Sequence, residues 1–408
     1  MVHVSAGSGT EDPARGRRPS PALAAGVVLG LLGLAAVFVL LAALTAVIPG
    51  AALLGATLSP AVVTVHGLQL VALGLVTAVV AWLLRRAHRR VATAVTVVAA
   101  VGTLALAGAV GAVVAATVGA GGGVDPLRAI ALTGSGGGAP DEHPVYLTTP
   151  EGQDLHLAVT RPRAGTGPAP VLVWVHGGGW VSGSELDRAD DARRLAGEGW
   201  LVVSVEYTLA APGRPTWDVA GPQVACALAR VAEHAGEYGG DPGRLVVGGD
   251  SAGGQLAVSV GYRAAAGTQA SACPSPVPVP RAIATLYPAV DLADTYRRGD
   301  GARDFAVVYT GGTPEQVPDR YRAVAGVEAI TPGAPPTLAV VPTRDRLVPP
   351  GGADRFVDAA RAAGVDARRV DVPFADHAFD VGPAGSLGHQ AATSVLERWA
   401  GEQVGLVR

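Results

Sequence analysis

The chain contains no lysine and no asparagine, so its 31 Lys-plus-Arg residues are all arginines. That excludes a lysine nucleophile and any N-glycosylation sequon. Cysteine is nearly absent, with only Cys226 and Cys273. Neither lies in a Cys/His cluster of metal-ligand spacing, so no metal is expected. No Walker motif and no G-x-G-x-x-G turn occurs, and no cofactor is expected. A formal net charge of −3, with the arginines scattered outside one short turn, argues against a nucleic-acid partner.

Charge is also missing from three long apolar runs, Ala22 to Ile48, Ala61 to Leu84 and Val91 to Ala120. None contains Asp, Glu or Arg, and none has a polar face at helical spacing. Each reaches the roughly 20 residues needed to cross a hydrocarbon core. Gly, Ala and Thr are frequent in them, as where helices pack closely in lipid. Three transmembrane helices are expected over 22–120, after an N-terminal tail at 1–21. The rival for the first run is a cleaved signal peptide, with Arg15, Arg17 and Arg18 as its charged region. The run is longer than the ~7–15-residue core of such a peptide, which favours an uncleaved anchor. With no charge inside the spans, an ion or proton pathway is not expected.

Arginine placement sets the expected orientation. Arg15, Arg17 and Arg18 precede the first run, and Arg85, Arg86, Arg89 and Arg90 fill the turn between the second and third. The loop from Pro49 to Pro60 carries no charge. The N-terminus is therefore expected in the cytoplasm and the C-terminal part outside. Residues 121–143, rich in glycine, read as a linker.

The remaining 144–408 suffice for one large domain. Apolar runs at 171–175, 201–205, 244–247, 282–286, 337–341 and 368–372 read as buried strands alternating with helices. A hairpin around Val145 to Thr160 begins the series. The pattern predicts an α/β fold with a mostly parallel sheet covered on both faces. The stretch 291–330 reads as a lid, whose Tyr296, Phe305 and Tyr309 either line substrate or pack on the sheet.

Two motifs carry the chemistry. His176-Gly177-Gly178-Gly179-Trp180 follows one strand, and Gly249-Asp250-Ser251-Ala252-Gly253 follows another. The second has the G-x-S-x-G form, which sets a serine on a tight strand-to-helix turn with its hydroxyl exposed. The first is a glycine-rich turn whose N–H groups can meet a developing oxyanion. A serine needs a base, and the base an orienting acid, both downstream in this order. Only His377 and His389 follow Ser251. His377 lies in a loop after a strand, whereas His389 reads as a solvated helix residue. Asp345 follows the 337–341 strand and is the expected acid. Asp376 is read as a turn or capping carboxylate and Asp250 as a brace of the elbow.

These motifs, with Tyr287-Pro288-Ala289-Val290-Asp291, Asp345-Arg346-Leu347-Val348-Pro349 and Asp376-His377-Ala378-Phe379, resemble the hormone-sensitive-lipase-like group of α/β-hydrolase serine esterases. The resemblance runs from about Val145 to Trp399. It implies Ser251 as nucleophile, His377 as base and Asp345 as its acid. It also implies an oxyanion hole from the N–H groups of Gly178, Gly179 and Ala252, with His176 and Gly177 shaping the loop. The group's D-Y-R-L-A-P segment is replaced here by Glu206-Tyr207-Thr208-Leu209-Ala210-Ala211-Pro212, with glutamate for its aspartate and threonine for its arginine, which alters its usual salt bridge.

A membrane-anchored carboxylesterase acting on small-molecule or lipid esters is thus expected. A deacetylase or peptidase on the same residues, or a non-catalytic membrane sensor or binding module, is the alternative. For Cys226 and Cys273, one disulfide and two separate buried thiols both remain open.

Overall fold

The computed structural model describes residues 20–48, 61–134, 137–165, 167–299 and 301–406. Arg15, Arg17, Arg18 and the loop 49–60, on which the expected orientation leans, lie outside them. The chain divides into two compact units, one of 1–43 with 70–104 and one of 44–69 with 105–408.

Three long helices dominate the N-terminal third: α1 (Pro21–Val47), α3 (Gly67–Leu83) and α4 (Arg89–Gly119). By length and composition each can cross a membrane. In the first unit, small residues let the helices approach. A Cβ added to Gly102 would lie 2.9 Å from the Leu40 Cα. Leu29, Ala36, Ala81, Ala92, Val95 and Ala99 form its buried seam, while Leu31, Leu34 and Leu104 stay exposed. The second apolar run is not one helix. It breaks after a single turn, α2 (Ala61–Thr64), and restarts at Gly67. The β-branched Val62-Val63-Thr64-Val65 run followed by His66 and Gly67 lowers helix propensity at that point.

The expected linker is largely built rather than free. α5 (Pro126–Ala131) is capped by Asp125, whose Oδ1 accepts from Leu127 N (2.9 Å) and Arg128 N (3.2 Å). Pro126 occupies its first turn, where no N–H is needed. Asp125 N donates to Gln390 Oε1 at 2.7 Å and Gly123 N to Ser394 Oγ at 3.1 Å. Gly122 acts here by allowing close approach, since a Cβ on it would lie 2.7 Å from Ser394 Oγ.

The sheet has eight strands in the order β1-β2-β4-β3-β5-β6-β7-β8. They are β1 (Val145–Thr148), β2 (Asp154–Thr160), β3 (Ala169–Val175), β4 (Leu201–Val205), β5 (Gly240–Asp250), β6 (Ala282–Leu286), β7 (Thr337–Pro342) and β8 (Ala367–Val372). β1 and β2 pair antiparallel, β2 meets β4 antiparallel, and all later pairs are parallel. Every residue of β3, β4 and β6 is buried, as a parallel sheet covered on both faces requires. The cover comes from α6 (Ala189–Gly197), α7 (Ala220–His234), α8 (Ala252–Ala265), α12 (Pro350–Ala362) and α13 (Leu387–Gln403). Between β6 and β7 lie α9 (Leu292–Arg298), α10 (Ala302–Thr310) and α11 (Pro318–Val324), in the stretch read as a lid. Cys226 on α7 and Cys273 in the Pro-rich loop are joined in a disulfide, with Cα atoms 5.3 Å apart.

Candidate active site

β5 ends at Asp250 and α8 starts at Ala252, so Ser251 alone makes the turn, at φ 53° and ψ −116°. That left-handed backbone is strained for a non-glycine residue. It is held because the turn is tight: a Cβ on Gly249 would lie 2.6 Å from the Gly253 carbonyl and 2.7 Å from Val175 O. The serine therefore stands at the N-terminus of a 14-residue helix, where the dipole and free N–H groups favour negative charge.

The loop after β8 brings His377 onto this serine. Its Nε2 lies 3.0 Å from Ser251 Oγ, and its Nδ1 lies 2.8 Å from Asp345 Oδ2. The other Asp345 oxygen accepts from Leu347 N (3.0 Å) and Val348 N (2.7 Å). Asp345 is buried, and with both oxygens bonded it holds the imidazole with its proton on Nδ1. Nε2 is then free to accept from the serine. Asp376 points elsewhere: it accepts from Arg346 N and Nε, each at 2.8 Å. It fixes the acid loop to the histidine loop.

Facing the serine, Gly178 and Gly179 have φ of 100° and 62°. Such values come at no steric cost to glycine and turn the loop after β3 back toward α8. His176 stacks on Tyr207 with ring centroids 4.3 Å apart, and its Nδ1 donates to Gly177 O at 2.8 Å. Burial lowers its pKa. It is thus a neutral strut of the loop. Ala252 is fully buried at the start of α8.

Beneath the serine and histidine lies a cavity of about 300 Å³, walled by Trp180, Phe305, Leu347, Val348 and Val381. Phe305 of α10 lines it. Tyr309 instead stacks on the far side of Trp180 (4.4 Å), and Tyr296 packs edge-on to Tyr321. Phe305 thus takes the lining role, whereas Tyr309 and Tyr296 pack on other aromatics rather than on the sheet.

A buried polar network behind the site was not legible as a motif. Arg188 Nη1 lies in an ion pair with Asp380 at 2.5 Å, and its Nη2 donates to Tyr287 Oη at 3.0 Å. Tyr287 Oη donates to Asp380 Oδ1 at 2.6 Å, and its ring meets His377 edge-on at 4.6 Å. Asp250 accepts from Trp174 Nε1 at 3.1 Å and lies 3.7 Å from Arg188. Burial raises the Asp250 pKa, with Arg188 opposing. Asp250 and Tyr287 stood inside quoted motifs, and Asp380 one residue past another. Arg188, which joins them, carries no local signal.

His389 is not solvated. It is buried, with Nε2 2.8 Å from Asp191 Oδ1. Ser386 caps α13 and turns its first residues inward, which the helical pattern alone does not reveal. Burial would raise Asp191, but the His389 hydrogen bond and the Arg188 and Arg194 charges hold it down at about 2. Glu206, in the departing segment, pairs with His156 Nδ1 at 3.1 Å. No group of three or more potential metal ligands occurs among the described residues.

The BD-FAE family model matches residues 157–359. Esterase LipC of Mycobacterium tuberculosis is 31% identical over 222 residues, which is 53% of this chain and 54% of LipC. The probable carboxylic ester hydrolase LipM of the same organism is 30% identical over 247 residues, 55% of this chain and 53% of LipM. The chain thus spans about half the length of the curated relatives it matches. Among solved structures, the apo form of Thermogutta terrifontis esterase 2 superposes with a TM-score of 0.55 at 24% identity, covering 66% of this chain and 96% of that one. Sheet order, the sequence of motifs along it and these matches lead to one conclusion: the C-terminal part of the chain has the α/β-hydrolase fold, and its residues 157–359 match the BD-FAE family model.

Proposed function

We propose that the protein is a membrane-anchored serine carboxylesterase in which Ser251 is the nucleophile, His377 the base and Asp345 its orienting acid. The observation that carries this reading is the unbroken hydrogen-bonded chain from Ser251 Oγ through both ring nitrogens of His377 to Asp345 Oδ2, at the head of an apolar cavity. The named activities of the relatives support it.

His377 Nε2 takes the Ser251 proton as Oγ bonds to the ester carbonyl carbon, and the carbonyl electron pair moves onto oxygen. The N–H groups of Gly178, Gly179 and Ala252 receive that oxyanion. The tetrahedral adduct collapses, the ester C–O bond breaks, and His377 passes its proton to the leaving alcohol. Water then repeats the sequence: His377 takes one proton, the oxygen attacks the acyl-enzyme, and Ser251 leaves reprotonated with the free acid. No group beyond the chain's own residues and water is needed.

Helices α1, α3 and α4 anchor the enzyme, with the N-terminus and the Arg85–Arg90 turn in the cytoplasm. The hydrolase domain follows the third span and so lies outside. The Cys226–Cys273 disulfide supports that placement, since such bonds persist in oxidising compartments.

Hydrolysis of a p-nitrophenyl ester series by the purified full chain, beside Ser251→Ala, tests the assignment. Turnover lost in the variant at unchanged folding is expected. Wild-type turnover in Ser251→Ala overturns the nucleophile. A folded, silent wild type favours a binding module that kept the fold.

A further inference from the structure

The two loops that bring the acid and the base to the serine also hold the outer ends of the apolar helices, and all these residues belong to one compact unit. Arg344, immediately before Asp345, donates from both Nη atoms to the last carbonyls of α1, those of Ala46 and Val47, the second at 2.8 Å. A helix C-terminus leaves such carbonyls unpaired and carries partial negative charge, so an arginine is the fitting cap. Gly382 in the histidine loop and Gly388 at the start of α13 lie against α2 and the turn after it. A Cβ on Gly388 would stand 2.8 Å from Thr64 Cβ, and one on Gly382 3.8 Å from Val65 Cγ2.

The depth of these contacts follows from the length of α3. With the 3₁₀ turn Leu84–Arg86 that continues it, α3 runs from Gly67 to Arg86, 20 residues, ~30 Å of helix, no longer than the hydrocarbon core it must cross. Its far end is marked by Trp82 with Arg85 stacked 3.6 Å over the indole, a pairing typical of the headgroup level. Gly67 therefore stands at the opposite lipid boundary, and Val65 just beyond it. Val381, next to the Gly382 that touches Val65, is 62% exposed and walls the catalytic cavity.

Exposed apolar residues stand here beside charged ones such as Asp187 and Asp190. Leu186 shares a cleft with Val381 and is exposed. On α5, Leu127 and Ile130 are exposed too. Gln69 in the first turn of α3 holds that helix by donating to Ala129 O and Ile130 O, both at 2.8 Å. Arg128 O and Thr133 of the same segment pack on Gly385 of the histidine loop. Large apolar side chains left exposed together favour docking, and the apolar helix ends beside these say what covers them.

We propose that the cavity opens at the outer lipid surface and takes its substrate from the leaflet, an ester with long acyl chains whose carbonyl sits at the headgroup boundary, as in an acylglycerol. Val381, Leu186, Leu127 and Ile130 form the part of the rim that meets lipid. The chains stay in the leaflet while the carbonyl reaches Ser251, so the ester is never carried through water. This rests on the anchored-esterase reading above and deepens it.

The test uses the full chain in phosphatidylcholine vesicles, with a fluorogenic long-chain diacylglycerol in the bilayer and p-nitrophenyl acetate in the water. At constant bulk concentrations, about tenfold dilution of the diacylglycerol with carrier lipid is expected to lower its hydrolysis several-fold and leave acetate turnover unchanged. In parallel, an environment-sensitive dye on Val381→Cys is expected to be quenched by lipids spin-labelled near the headgroup. The same dye on Pro242→Cys, at the far end of β5 from Ser251, is expected not to be. An unquenched Val381→Cys, or acetate turnover without diacylglycerol turnover, overturns the proposal and leaves the esterase reading standing. Failure on both esters overturns the esterase reading itself.

Discussion

The apolar helices and the sheet draw on the same Val, Leu and Ala, yet use them in opposite ways. All seven residues of β3 and all five of β4 are buried. On α1, by contrast, Leu31 is 64% and Leu34 71% exposed. A helix satisfies its own backbone hydrogen bonds and can show such residues to lipid. A sheet satisfies its backbone only through neighbours, and its strands need helices over both faces. The difference extends to polar groups. The apolar runs 22–48, 61–84 and 91–120 contain no acid or arginine, whereas the hydrolase domain buries Arg188 among Asp250, Asp380 and Asp191. Polarity is excluded in one region and concentrated at the site in the other.

The contrast is broken most sharply by removing chemistry from the domain without touching its packing. Ser251→Ala deletes one buried hydroxyl at the elbow. It is expected to lower ester turnover by about 10⁴-fold or more, with the melting temperature and membrane insertion unchanged. Kinetics and thermal melts on the full chain in detergent check this. A drop of less than about tenfold would mean that the attacking oxygen is not the serine's.

Arg188→Met tests whether the buried charges behind the site act as one unit. Removing the cation leaves Asp380 and Asp250 without their shared partner, a change that costs about 3–5 kcal/mol where the pair is buried. For a domain of this size that is roughly a 10 °C fall in melting temperature. The Asp380→Asn partner variant should be less damaging, because it removes a negative charge that Arg188 no longer has to offset alone. Equal melting of Arg188→Met and wild type would show that the network contributes nothing.

How far each region could be read from sequence follows from the same contrast. The strands 201–205 and 282–286 were expected with the bounds they have, because buried parallel strands leave unbroken apolar runs. Ser251, Asp345 and His377 each stand directly after a strand or in the loop beyond it, so local pattern sufficed to name them. Local pattern failed where the partner is distant in sequence. Asp191 sits on α6 and decides that His389 is buried; Gln390 and Ser394 decide that the glycine-rich segment is held. Arg188 joins Asp250 at the end of β5 and Asp380 beyond the histidine, both far from it in sequence. The break at Val65 and His66 was masked by composition, since hydropathy does not register β-branching.

A smaller effect is expected inside the helical unit, where fit rather than charge decides. Gly102→Leu places side-chain atoms against the Leu40 backbone, with the first carbon already 2.9 Å from the Leu40 Cα. Overpacking of this kind costs about 1–3 kcal/mol. Leu104→Ala, two residues on but 73% exposed, is expected to change nothing measurable. Detergent thermal stability of the two variants separates a packed helix face from a lipid-facing one. Equal losses would remove that distinction.

The smallest effect is a pH dependence of the hydrolase domain. Glu397 on α13 is pushed up to about 7, first by burial and then by its hydrogen bond with Glu198, with Arg194 opposing. Unfolded, it loses its proton near the ordinary 4.5. Between those values the folded chain holds the extra proton, so the stabilisation is complete below about 4.5 and disappears as pH rises through about 7. Melting temperature is expected to fall by a few degrees from pH 5 to pH 8 on this account, on the scale of roughly 2–4 °C per kcal/mol. Glu397→Gln keeps the shape and cannot ionise, so its melting temperature should fall less over that range. A Glu397→Gln slope as steep as the wild type's would assign the proton to another group.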